Sequence, residues 1–127
     1  MRILVIEDDL NIQALLKHAL AGDGHAVMVS SDCDGALKQF DRGAVPEIII
    51  LDLMLPGMSG LEFLELVRRR YPNIKIVVIS ATDGVDTVVK AMRLGALDYI
   101  RKPFKMTEIK VAVNEALQFR ELQMEIE

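Results

Sequence analysis

Cysteine is all but missing from this 127-residue chain, with Cys33 alone. An internal disulfide is therefore excluded, and the expected setting is the reducing interior of the cell. Long apolar runs are missing too: none approaches the ~18 residues a membrane span requires. The opening stretch Met1-Arg2-Ile3-Leu4-Val5-Ile6 meets Glu7 and Asp8 where a signal peptide would remain apolar. Positive charge is short: 15 basic residues stand against 19 acidic ones, a net charge of −4. That balance argues against direct nucleic-acid binding, which needs a basic face for the phosphates. Repeats, low-complexity tracts and linkers are lacking before residue 117. The expectation is a soluble cytoplasmic protein with no membrane contact.

What is present is a one-domain chain, 51% hydrophobic and 27% charged, which excludes intrinsic disorder. Short apolar runs at 3–6, 27–29, 48–51 and 76–79 are β-branched and nearly continuous, the pattern of strands covered on both faces. A weaker run at 97–100 makes a fifth. Between them, apolar residues recur at helical spacing: Ile12, Leu15, Leu16, Ala19; Cys33, Ala36, Leu37, Phe40; Phe63, Leu64, Val67, Tyr71; Val85, Val88, Val89, Met92; and Ile109, Ala112, Val113, Ala116. Asp9, Ser59, Asp83 and Thr107 stand at expected N-caps, and Gly22, Gly43 and Gly95 just past expected helix ends. Alternating strands and helices imply parallel pairing through right-handed crossovers, with helices on both faces of one sheet.

The polar residues that follow the strands carry the chemistry. The first strand runs into Glu7, Asp8 and Asp9, the third into Asp52, the fourth into Ser80, and the fifth reaches Lys102. Ligands of open parallel sheets bind beyond the strands' carboxyl ends, where the strand order reverses. In the common order 2-1-3-4-5, Glu7, Asp8 and Asp52 converge there, with Ser80 and Lys102 closing the other side. Three carboxylates so placed repel one another unless a cation intervenes, and Mg²⁺ is the hard ion that suits them. Mg²⁺ and an ammonium together suit a phosphoryl group, with an Asp carboxylate as nucleophile.

These residues resemble the receiver domain of two-component response regulators. The matching segments are residues 3–9, Ile50-Leu-Asp-Leu-Met-Leu-Pro-Gly-Met-Ser-Gly60, Val78-Ile-Ser-Ala81 and Gly95-Ala-Leu-Asp-Tyr-Ile-Arg-Lys-Pro-Phe104. The resemblance covers residues 1–118 and implies a single doubly wound α/β domain of the flavodoxin-like type, a five-stranded parallel sheet in order 2-1-3-4-5. It implies that Asp52 accepts a phosphoryl group from a sensor histidine kinase or phosphotransfer protein, with Mg²⁺ as cofactor. Metal ligands would be Glu7, Asp8, Asp52 and the Met54 carbonyl. Lys102 would pair with the phosphoryl group, Ser80 would supply the switch hydroxyl, Tyr99 the aromatic switch, and Met54 and Thr82 would gate the hydrolytic water. It implies a cis Lys102–Pro103 bond, and signalling through the fourth helix, fifth strand and fifth helix to an output domain or downstream protein. The resemblance admits a homodimer. The expected role is a switch with slow self-dephosphorylation, not an enzyme with a free substrate.

Other readings stand beside this one. A pseudo-receiver would be an interaction module without need of the metal site. A flavin mononucleotide site needs hydroxyls and amides after the first strand, where the acids stand. An aspartyl phosphohydrolase usually carries a second Asp two positions on, where this chain has Met54. Arg68, Arg69 and Arg70 read as a solvated helix end complementing the dipole, His18 and His25 as surface or partly buried residues, and Cys33 as core. The loop Gly57-Met58-Ser59-Gly60 lacks the spacing and the Lys of a P-loop. Residues 119–127 extend the last helix. Ile109, Ala112, Ala116, Phe119, Gln123 and Ile126 follow a/d spacing, flanked by Glu121, Glu125 and Glu127. That stretch reads either as a linker or dimerisation helix, or as a solvated tail.

Overall fold

The computed structural model describes residues 1–55, 57–81 and 84–126, the last four of these by backbone alone. Among the described residues, five strands, β1 (Arg2–Ile6), β2 (Ala26–Ser30), β3 (Ile48–Asp52), β4 (Lys75–Ser80) and β5 (Asp98–Arg101), alternate with five helices. These are α1 (Leu10–Gly22), α2 (Cys33–Asp41), α3 (Gly60–Arg70), α4 (Val85–Arg93) and α5 (Met106–Ile126). All strand pairs are parallel, in the order β2-β1-β3-β4-β5 that the sequence predicts. β5 sits one residue later than expected, on Asp98–Arg101 rather than residues 97–100.

Side chains of the central strands alternate between two apolar layers, one on each face of the sheet. Leu4, Ile6, Ile49, Leu51, Ile76 and Val78 pack with α2, α3 and α4, whereas Ile3, Val5, Ile48, Ile50, Val77 and Ile79 pack with α1 and α5. Burial on both faces is why β1, β3 and β4 read as unbroken apolar runs. Asp9 and Ser59 cap α1 and α3 as expected: the Asp9 carboxylate accepts from the Asn11 and Ile12 amides at 2.9 and 3.2 Å, the Ser59 hydroxyl from Leu61 at 3.2 Å. The left-handed residues at 43 and 95 are the expected glycines, but after α1 the left-handed residue is Gly24, not Gly22.

Other details depart from the expectation. Thr107 lies inside α5, which begins at Met106; the Glu108 carboxylate reaches back to the Lys105 amide at 2.9 Å, half of a capping box. Asp83 lies outside the described residues, and the N-cap of α4 is Gly84. On α1, Leu15 is exposed while Leu16 and Leu20 are fully buried, so the core stripe runs one step round from that expected. On α4 the expected core stripe faces outward: Val85, Val89 and Met92 are exposed, and Ala91 is the fully buried residue of that helix. The first half of the expected a/d seam is spent on the domain's own core, because Ile109, Ala112 and Ala116 lie in the α1/α5 layer.

Candidate functional site

The turn after β1 sets the first two acids. Glu7 is fully buried; its Oε2 accepts from the Asp9 amide at 3.2 Å, and its carbonyl accepts from the Gln13 side chain at 2.9 Å. Asp8 is exposed at the rim, and Asp9 is committed to capping α1. Asp52 ends β3, the neighbour of β1, and is also buried. Carboxylate oxygens of Glu7, Asp8 and Asp52 lie within 4.8 Å of one another. From the far side, the Lys102 ammonium donates to Glu7 Oε1 at 2.5 Å and to Asp52 Oδ2 at 2.7 Å. The other Asp52 oxygen accepts from the Met54 amide at 2.9 Å, so both are held. The Lys102–Pro103 peptide is cis, as expected.

The electrostatics follow from burial. Desolvation pushes the Glu7 carboxyl up from 4.5 to about 7; the Lys102 bond opposes this, and the adjoining Asp52 reinforces it. Burial alone would lower Lys102, but its bonds to Asp52 and Glu7 outweigh burial and hold the ammonium above its usual range. One cation for three carboxylates leaves the pocket anionic, a donor set of hard oxygens that fits Mg²⁺.

The remaining candidates fall around this centre. Ser80 is fully buried at the end of β4, one residue past the position paired with Asp52; its carbonyl accepts from the Lys102 amide at 2.9 Å. Tyr99 is half-buried on β5, packed against the α2–α4 layer, and borders a shallow hollow with Thr107 and Val111. The Met54 side chain is exposed beside Asp52, and Thr82 lies outside the described residues. The loop after β3 depends on two glycines. Gly57 has φ 83°, and a Cβ on Gly60 would lie 2.9 Å from the Leu53 Cα.

Residues read as bland mostly prove so. Cys33 is fully buried, its thiol pushed up to about 12 by burial and by Asp34 and Asp32. His18 is exposed; His25 is half-buried, with its Nδ1 buried and lacking a hydrogen-bond partner. Arg69 pairs with Glu65 on the surface. Arg68 departs from the solvated reading: its guanidinium folds onto the Pro72 carbonyl at 2.8 Å. Sequence reasoning missed the direct Lys102–Glu7 contact, because it assigned Lys102 only to a phosphoryl partner.

An open α/β sheet with buried acids and a lysine at its strand-order reversal is the arrangement that the sequence resemblance to receiver domains implies. The comparisons with known proteins agree. Residues 3–114 match the response regulator receiver domain family, and the chain belongs to it. It is 33% identical over 126 residues to the nitrogen assimilation regulatory protein NtrX of Azorhizobium caulinodans, covering 98% of this chain and 28% of that one. The chain thus spans just over a quarter of that relative's length. Among solved structures, the receiver domain of NtrX from Brucella abortus superposes with a TM-score of 0.84 at 34% identity, over 91% of this chain and 98% of that one. A CheY-like receiver domain protein from Methanospirillum hungatei gives 0.91 at 25% identity, over 96% and 97%. Receiver domains are signalling switches of two-component systems, and no helix of the described residues is long and apolar enough to cross a membrane.

Proposed function

We propose that this domain, in the cytoplasm, accepts a phosphoryl group on Asp52 from a sensor histidine kinase or phosphotransfer protein and relays that event to an output domain or protein partner. The observation that carries the reading is the Lys102 ammonium bridging Glu7 and Asp52 beside the rim acid Asp8. A carboxylate oxygen of Asp52 attacks phosphorus, the oxygen–phosphorus bond forms as the phosphorus–nitrogen bond to the donor imidazole breaks, and that imidazole keeps the electron pair and takes a proton. Lys102 then turns its charge from the carboxylate to the phosphoryl oxygens. Glu7, Asp8, Asp52 and the Met54 carbonyl are the residues that would hold Mg²⁺, which when bound supplies neutralisation of the phosphoryl charge.

The switch reading rests on placement. Ser80 lies one step from the acceptor on the adjoining strand, and Tyr99 lies on the next strand, over the layer that α4 joins. Ser80 moving toward phosphoryl oxygens vacates space for the Tyr99 ring, and the surface of α4, β5 and α5 changes with it. That surface is where Val85, Val89, Met92 and Val111 are exposed, an apolar face suited to a partner in one of the two states.

The test is the intact mass of the protein after incubation with Mg²⁺ and a small phosphoryl donor, with Asp52→Asn and a chelator control in parallel. One adduct is expected, absent from the variant and from the chelated sample. Uptake that persists on Asp52→Asn overturns the assignment. Failure of both uptake and Mg²⁺ binding favours the pseudo-receiver.

A further inference from the structure

The core-facing stripe of α5 does not end on an apolar residue. It runs Ile109, Val113, Ala116 and then, one turn on, Arg120; Phe119, the residue the a/d spacing selects, points outward and is 57% exposed. The Arg120 side chain is only 17% exposed, and that of its partner Glu47 only 21%. Its Nη1 donates to the Asn73 carbonyl at 2.8 Å, and its Nε lies 3.5 Å from Glu47 Oε2. The second Glu47 oxygen accepts from the Arg2 amide at 3.0 Å. One guanidinium thereby joins α5 to the starts of β1 and β3 and to the loop entering β4, at the end of the sheet opposite the acidic pocket.

We infer that Arg120 is a positioning residue: its clasp on Glu47 and Asn73 holds the last turns of α5 as a rigid continuation of the domain and sets the direction in which the helix leaves it. A helix end with no tertiary hold frays, and its direction is averaged over many orientations. An Arg forked between a carboxylate and a carbonyl removes that freedom, because the planar guanidinium satisfies both partners in one orientation. The role in signalling assigned to this direction rests on the receiver reading, since a fixed arm is of use only if what it carries responds to Asp52. The clasp itself does not depend on that reading.

The experiment is a spin-label distance measurement on the full chain between Asp41→Cys, exposed at the end of α2, and Leu122→Cys on the last part of α5. Cys33 is buried and stays unlabelled. A single narrow distribution is expected with Arg120 intact, broadening at least about two-fold in Arg120→Ala and in Glu47→Gln. Arg120→Lys, which keeps the charge without the fork, is expected to be broader than the unsubstituted background; if it is as narrow, the role given to the fork is overturned, and if Glu47→Gln is as narrow, the role given to Glu47 is overturned. An equally narrow distribution in Arg120→Ala, or a broad one in the unsubstituted background, overturns the clasp. Phosphoryl uptake is measured on the same samples and is expected to be unchanged by these substitutions. If the unsubstituted background takes up no phosphoryl group and binds no Mg²⁺ while the variants broaden as described, the receiver reading is refuted and the clasp stands.

Discussion

Binding of Mg²⁺ at this pocket should carry a proton signature set by Glu7. That carboxyl is fully buried and pushed up to about 7, so it is half protonated near neutrality in the metal-free protein. A divalent ion needs the ionised form. Roughly nine molecules in ten have it at about pH 8 and roughly one in ten at about pH 6. Apparent Mg²⁺ affinity should therefore fall about ten-fold from the higher to the lower pH, with close to one proton released per ion at the lower. The folded carboxyl stands above its ordinary 4.5. Its contribution to stability in metal-free protein is thus present in acid and is lost as the pH rises through about 7. Added Mg²⁺ offsets that loss. Isothermal titration calorimetry in two buffers of different ionisation enthalpy reads both the affinity and the proton count. Glu7→Gln should bind more weakly at the higher pH and show no slope between the two. An affinity that does not change with pH, or a slope that survives in Glu7→Gln, would refute the assignment of the proton to this residue.

Further outcomes follow from the same geometry. Lys102→Ala leaves two buried carboxylates without their ammonium and should cost roughly 3 kcal/mol in a urea titration without Mg²⁺; it should also keep some phosphoryl uptake while losing any hydrogen-exchange response in α4, and an unaltered response would count against its switch role. Gly60→Ala drives a Cβ against the Leu53 backbone beside Asp52. It should destabilise by about 1–3 kcal/mol in the same titration, and a neutral result would contradict the close approach. Cys33, buried and pushed up to about 12, should resist a thiol-specific disulfide reagent near neutral pH and react only once the chain is unfolded, as followed by released chromophore.

The sheet was legible because its central strands are buried on both faces, which leaves continuous β-branched runs in the sequence. β5, an edge strand of four residues, carries a weaker pattern, and its position is displaced by one residue. The site was legible through placement: each acid, hydroxyl and lysine stands at or just past the end of its strand, so the strand order brings them together. Helical stripes were less decisive. Apolar spacing gives the period, but it does not say which of two adjacent stripes faces the core, and on α4 the apolar stripe faces outward. The same ambiguity hid Arg120. An arginine four residues beyond Ala116 continues a core stripe only if its long stem lies along the domain and its head finds partners there. Those partners, Glu47 and Asn73, are far away in sequence and adjacent only after the sheet has formed.

The departure of α5 from the edge where the strands begin has a consequence for traffic around the domain. The Asp52 carboxylate, the proposed acceptor, stands at the other edge, separated by the length of a five-residue strand, on the order of 17 Å. A kinase reaching for Asp52 and a segment joined to the last helix would approach from opposite poles, so neither need be released before the other engages. Loading and read-out can overlap in time on one small body.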